Sequence, residues 1–519
     1  MIHGTIRRLA VAVLLAGAVP GAPAAAQAGS SAEARTARRF DAMRGEPLLQ
    51  AAFLRRMPKG GDLHNHLSGA VYAESYVGWA AQSGLCVSRE TLGLVSPPCD
   101  SAAGLVPAAQ ALRSSSLYGQ LVDAWSMRNW HPANRSGHDQ FFDTFGKFGA
   151  ATDGRTAEML AEAASRAAHD RLAYLELMQT LDGGASAGLG RAAGWDDDLG
   201  RLRDKLLAAG LRDTVAVARR ALDATEARTR ELLRCGTPQA DAGCGVTVRW
   251  LYQVSRGRTP EQVFGQILMG FEMASADPRV VGFNLVQPED ALIPMRDYSL
   301  QMRMIGYLRR LYPRVRFTLH AGELAPGLVP PEGLRFHVAE AVRVAGASRI
   351  GHGVDVMYED DPFALLREMA ERRVLVEIAL TSNAVILGVQ GKEHPLALYL
   401  RHGVPVTLAT DDLGVARSDM TMEYLRAARD QGLGYVQLKA MARNSLEHAF
   451  VDGASLWRDA RTLAPVAECS AARGGMEGAA CRGFTERSTR ARLQRELERS
   501  LAAFEREQAG IADAVPARR

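Results

Sequence analysis

The 519-residue sequence has little net charge, since 62 lysines and arginines against 58 aspartates and glutamates leave a formal +4. Part of that excess is Arg7 and Arg8, so the chain lacks the basic footprint of nucleic-acid binding. Extended apolar runs are scarce too. The run from residue 9 to about 19 falls short of the ~20 apolar residues that span a bilayer, and no stable membrane anchor is expected. Cysteine is sparse, six in all. None stands in a C-x-x-C, and the H-x-E with P-C-x-x-C signature of thiolate-bound catalytic zinc is missing, which argues against a metal held by sulfur. No solenoid repeat is visible. What remains, 47% hydrophobic and 23% charged residues, is the composition of an ordinary globular protein.

The start reads as an export signal. Arg7 and Arg8 precede the short apolar run, and Ala22-Pro23-Ala24-Ala25-Ala26-Gln27-Ala28 supplies two small-residue cleavage sites. Residues 1–28 are therefore expected to be removed, and the mature chain to be periplasmic or secreted. The cysteines suit such a compartment, falling into the close pairs Cys86 with Cys99, Cys235 with Cys244, and Cys469 with Cys481. Six cysteines allow about fifteen connectivities, and nearest-neighbour disulfides are the expectation.

Residues 29–55 are expected to form a helical segment with one short amphipathic helix over about 35–55. Beyond it, short apolar runs ending in polar residues alternate with helical stretches, at 62–67, 173–179, 246–255, 280–287, 316–320, 349–354, 374–380 and 404–409. Eight such runs predict an α/β fold, a (β/α)8 TIM barrel over residues 56–455, with chemistry at the C-terminal strand ends. A minimal barrel needs ~250 residues. The surplus falls after the first two strands, in insertions at 72–155 and 181–245 that are candidates for a lid, a binding surface or a homodimer contact. The aromatic group Trp125, Trp130, Phe141, Phe142, Phe145 and Phe148 is expected to pack the first insertion. Residues 456–519 read as a helical extension whose stripe Leu493, Leu497, Leu501 and Phe504 docks on the barrel.

In Asp62-Leu63-His64-Asn65-His66 the two histidines are two apart on a strand and project to one side. Two imidazoles facing one point suit a divalent transition metal. A third, His320, ends the fifth run, and Asp411 ends the eighth. Three histidines and an aspartate leave a position for water, whose pKa a bound metal lowers towards ~7. The fourth run offers no bridging carboxylate or lysine, so one metal per chain is expected. Glu323 is placed to donate a proton to a substrate nitrogen, His352 to take one from the water and orient it, and Asp412 to hydrogen-bond the substrate. His131, His138, His337, His394, His402 and His448 read as structural or surface residues, with His394-Pro395 starting a helix.

These residues resemble the adenosine deaminase family, and within it the secreted, growth-factor-like branch, over about residues 57–450. The resemblance rests on Met57-Pro58-Lys59 before the H-x-H, then His320-Ala321-Gly322-Glu323, Gly351-His352-Gly353, Thr381-Ser382-Asn383, Asp411-Asp412 and Asn444-Ser445-Leu446, in that order. It implies zinc held by His64, His66, His320 and Asp411, with Glu323 protonating the purine ring nitrogen beside the amino-bearing carbon. It further implies that His352 serves the attacking water, that Asp412 contacts the imidazole-ring nitrogen, and that adenosine becomes inosine and ammonia.

Three departures fall on substrate recognition. Ser68 stands where many members have an acidic residue for ribose, Gln287 replaces the glycine that lets backbone approach the purine, and Leu413 replaces a proline. The expected ligand is a small purine nucleoside. A single-metal amidohydrolase acting on another ring amine is the enzymatic alternative, and a growth-factor-like binding protein is the alternative outside enzymes.

Overall fold

The structure, a computed structural model, describes residues 31–510, and the export signal expected at residues 1–28 lies outside them. Eight parallel strands form the centre: β1 (Gly60–His66), β2 (Leu172–Gln179), β3 (Thr247–Ser255), β4 (Val280–Val286), β5 (Thr318–Ala321), β6 (Arg349–His352), β7 (Leu375–Ile378) and β8 (Val406–Leu408). They pair as two four-stranded sheets, β1-β2-β3-β4 and β5-β6-β7-β8. The sheets meet at a parallel bridge between Asn65 and Asp411, where His66 N–H donates to the Asp411 carbonyl (3.1 Å) and Asp411 N–H to that of His64 (2.9 Å). At the other seam the Asn284 side chain on β4 accepts from the His320 amide on β5 (2.9 Å). The closed arrangement is the expected (β/α)8 barrel.

All eight expected runs carry a strand. The differences lie at their ends: β5 begins at Thr318 rather than residue 316, and Leu380 opens a short helix (Leu380–Ile386) instead of ending β7. The N-terminal segment forms two helices, Ala32–Ala42 and Pro47–Arg56, rather than one. Gly45 takes φ 85° between them, and Pro47 occupies the first turn of the second, where its missing N–H has no helical partner to lose.

The start of β1 is held tightly. Lys59 is buried and donates to the carbonyls of Met57 (3.2 Å) and Asp170 (2.9 Å). At Gly60 a Cβ would meet the Ala442 carbonyl at 2.3 Å, so only glycine lets the strand lie against the helix Tyr435–Glu447. Inside the barrel, Arg349 bridges Glu176 and Glu377, at 2.6 Å to each, beneath the strand ends. Such a buried triad needs every charge partnered, because desolvation is costly.

The insertions are folded. Residues 72–155 include the helix Gly137–Phe148 and a small antiparallel sheet, and residues 181–245 are mostly helical. The three expected disulfides, Cys86–Cys99, Cys235–Cys244 and Cys469–Cys481, are all formed. The C-terminal helix Thr489–Gly510 buries Leu493, Leu497, Leu501 and Phe504 as expected, and Phe504 meets Phe53 of the N-terminal segment edge-on at 5.0 Å. Among the described residues no helix is long and apolar enough to cross a membrane.

Candidate metal centre

Barrel closure brings His64 and His66 on β1 to His320 on β5 and to Asp411 after β8. His64 Nε2 lies 3.1 Å from His320 Nε2 and 3.4 Å from Asp411 Oδ1. His66 Nε2 lies 3.3 Å and 3.2 Å from the same two atoms. A small divalent cation with ligand bonds of about 2.0–2.1 Å separates neighbouring donors by roughly 3.3–3.4 Å, and these four separations match that spacing. Donor atoms lying within 4.8 Å of one another form two groups, His64, His320, His352 and Asp411 in one and His66, Asp411 and Asp412 in the other, so Asp411 joins the two halves of the expected set. Charge favours a cation here: burial opposes protonation of His64, yet its bonds to Asp411 and Glu377 raise it to about 10.

The imidazoles are held from behind. His64 Nδ1–H donates to Glu377 Oε2 (2.8 Å), which leaves Nε2 free to face the centre. Glu377 accepts in turn from Thr318 Oγ1 (3.0 Å) and pairs with Arg349. His66 Nδ1–H donates to Gln253 Oε1 (3.3 Å), and Ser382 Oγ–H to Asp411 Oδ2 (2.7 Å). Asp62, Asn65 and Thr410 tie β1 to the segment after β8 through the 3.1 Å and 3.0 Å bonds of Asn65 Nδ2.

Sequence reasoning missed Glu377, Gln253, Glu176 and Arg349. Glu377 and Glu176 had a signal, since each is a lone carboxylate inside an apolar strand, Val374-Leu375-Val376-Glu377-Ile378 and Leu175-Glu176-Leu177. Gln253 had none, because nothing local distinguishes it from other strand glutamines.

Glu323, His352 and Asp412 border the same centre. His352 Nε2 has no hydrogen-bond partner and lies 3.7 Å from Glu323 Oε1 and 4.0 Å from Asp411 Oδ2. Burial, with the charges of Asp411 and Glu289 nearby, pushes the Glu323 carboxyl well above its usual range and favours the protonated acid. Glu289 fixes this loop by accepting from the amides of Gly322 (3.0 Å) and Glu323 (2.9 Å). Asp412, also pushed well up by burial, leaves Oδ1 without a partner. Its side chain crosses so close to Gly69 that a Cβ there would lie 1.6 Å from Oδ1. His352 and Asp411 both take left-handed backbone, at φ 70° and 58°, a strain typical of functional positions.

A cavity of about 360 Å³ opens onto these groups, and Ser68 and Gln287 line it as anticipated. Gln287 retains the glycine-like conformation at φ 89°; its carbonyl is held by Arg256 (2.9 Å to Nη2) and its side chain accepts from the Gly257 amide (2.7 Å). Phe141, Phe142 and Phe145 form part of the wall, which corrects their assignment as mere packing of the insertion. A helix can bury Phe141 and Phe148 inward while presenting other rings along its flank to the barrel mouth. Among the described residues no lysine or arginine lines the cavity. The same helix is tethered across the opening, His138 Nε2 lying 3.0 Å from Asp290 Oδ1 beyond β4.

Comparison with known proteins adds an independent line. The family model described as adenosine deaminase matches residues 212–457, which leaves His64 and His66 outside the matched stretch. An adenosine deaminase of Serratia proteamaculans is 40% identical over 138 residues, covering 26% of this chain and 38% of that protein. An adenine deaminase of Rhizobium johnstonii is 32% identical over 219 residues, covering 42% of this chain and 62% of that protein. The chain thus spans less than two thirds of the length of the curated relatives it matches. A crystal structure of an Arabidopsis N6-mAMP deaminase superimposes with a TM-score of 0.52 at 20% identity, covering 79% of this chain and 98% of that one, a likeness of fold alone.

Proposed function

We propose that this chain, whose residues 212–457 match the family model described as adenosine deaminase, belongs to that family and hydrolytically deaminates adenosine or 2'-deoxyadenosine, with one zinc ion, outside the cytoplasm. The observation that carries this is the convergence of four donor atoms at 3.1–3.4 Å beneath a cavity that also holds Glu323 and Asp412. Three imidazoles and one carboxylate are a donor set suited to zinc. Bound there, zinc would act as a Lewis acid and lower the pKa of the attacking water.

The chain's own groups account for the rest. Glu323, kept protonated by burial, gives its proton to the ring nitrogen beside the amino-bearing carbon and makes that carbon electrophilic. Asp412, also biased towards its acid form by burial, can donate from its unpartnered carboxyl to an imidazole-ring nitrogen. The apolar wall from Phe141, Phe142 and Phe145 excludes water and stacks against a flat base. Because carboxylates and no lysine or arginine line the cavity among the described residues, a phosphate dianion is disfavoured, and the substrate is an uncharged nucleoside or base. Ser68 and Gln287 support a second reading, deamination of another uncharged aminopurine whose sugar needs no acidic partner. The reading of extracytoplasmic action draws on the export-signal pattern expected at residues 1–28 and on three disulfides.

An ammonia-release screen of the zinc-loaded protein with adenosine, 2'-deoxyadenosine, adenine and AMP tests the proposal. Turnover of nucleosides without AMP is expected. No turnover of any aminopurine would overturn it, and turnover of adenine alone would select the second reading.

A further inference from the structure

Asn383 and His394 take no part in the chemistry described so far, yet they form a buried chain of hydrogen bonds ending at His352. Its direction is set by a backbone amide. Leu396 N–H donates to His394 Nδ1 (3.1 Å), and a backbone amide can only donate. His394, kept neutral by burial that lowers it to about 4, must then carry its proton on Nε2. That N–H donates to Asn383 Oδ1 (3.1 Å). The Asn383 amide nitrogen consequently faces His352 Nδ1 (3.0 Å) and donates to it. Reversing the amide would oblige both nitrogens of His394 to accept, which a neutral imidazole cannot do. With His352 Nδ1 accepting, the one proton of that ring sits on Nε2, which points into the centre without a partner.

We propose that His394 and Asn383 are positioning residues that hold His352 as the Nε2–H tautomer, so that it faces the attacking oxygen as a hydrogen-bond donor. A protonated Nε2 has no lone pair with which to bind the metal. His352 is thereby separated from His64, His66 and His320, although all four rings share the centre. Nor can it take the first proton from water; that proton passes to a carboxylate oxygen of the site. Of the two roles expected for His352 from the sequence, accepting the proton of the water and orienting it, the second is kept and the first is replaced by hydrogen-bond donation. The separations of 3.7 Å to Glu323 and 4.0 Å to Asp411 let one oxygen seated beside the three groups come within hydrogen-bond reach of each. The catalytic consequence rests on the proposed deamination, whereas the tautomer does not.

The test is a histidine 15N–1H spectrum of the zinc-loaded protein, with the His352 signals identified by their loss in His352→Gln. The wild type is expected to show Nε2 protonated and Nδ1 unprotonated. In the near-isosteric Asn383→Asp the carboxylate accepts from both rings, so the proton of His352 should move to Nδ1. With it, kcat should fall about 10–100-fold, as for other residues that orient a reacting group, while KM changes little. His394→Gln, whose amide can still donate to Asn383, should keep more of the activity than His394→Ala. Zinc content should persist in His352→Gln and fall in His66→Ala. A wild-type His352 protonated on Nδ1, or a tautomer indifferent to Asn383→Asp, would overturn the proposal. The expected tautomers without aminopurine turnover would leave the relay standing and remove the proposed reaction.

Discussion

The two half-barrels divide the work unequally. Between β5 and β8 the strands follow one another closely, and this half supplies His320, Glu323, His352 and Asp411 together with the residues that orient them. Between β1 and β3 the chain leaves the barrel for two long insertions, and this half supplies the apolar cavity wall, Gln253, Gln287 and only the histidine pair of β1. Short connections keep strand-end side chains within hydrogen-bond reach of one another, which proton transfer and metal binding require. Long connections add surface that can be shaped to a ligand without disturbing those distances. The family match, residues 212–457, covers the close-spaced half and begins inside the second insertion.

If this division is right, the largest losses come from the close-spaced half. His320→Ala should abolish zinc binding and lower turnover by about 10³-fold or more, read by metal analysis alongside kinetics. Unchanged metal stoichiometry would break the assignment. Glu323→Gln should keep the metal and lower kcat by ~10²–10⁴-fold with little change in KM. Next comes Glu377→Gln, which removes the carboxylate behind His64 and should weaken zinc affinity by about 10–100-fold in a competition titration.

Changes in the insertion should act on recognition instead. Phe142→Ala is expected to raise KM about tenfold with kcat and zinc content nearly unchanged, since it removes part of an apolar wall; an equal loss in kcat would erase the contrast between the halves. The smallest effect is at His138, which its bond to Asp290 raises above its ordinary value of 6.5 against the pull of burial. A raised histidine contributes its stabilisation fully below about 6.5 and loses it as pH climbs through the shifted value. Thermal unfolding of wild type and His138→Gln should therefore differ at acidic pH and converge above it. The difference should be under ~1 kcal/mol, because solvent screens the pair.

Much of this was legible beforehand because each signal was local. Strand runs ending in His320, His352 and Asp411 mark the barrel and its reactive end, and close spacing of the cysteines sufficed for their pairing. Glu377 was overlooked because its importance comes from His64, more than three hundred residues away in the chain. The break at Gly45 was overlooked because the apolar period on either side continues across it. The aromatic residues of 137–148 were misassigned because helical period says which rings lie on one face, and not what that face meets.

By itself, then, the sequence determined the barrel, the candidate donor residues and the doubt about the sugar at Ser68, since these depend on residue type and spacing along single strands. Tertiary structure alone decided that β1 closes on the segment after β8, so that donors more than three hundred residues apart meet at 3.2 Å. It also decided that the insertion walls the cavity, and that Leu396, through His394 and Asn383, dictates which nitrogen of His352 holds the proton. Hydrogen-bond direction belongs to atoms in contact, and contact between distant segments is what folding adds.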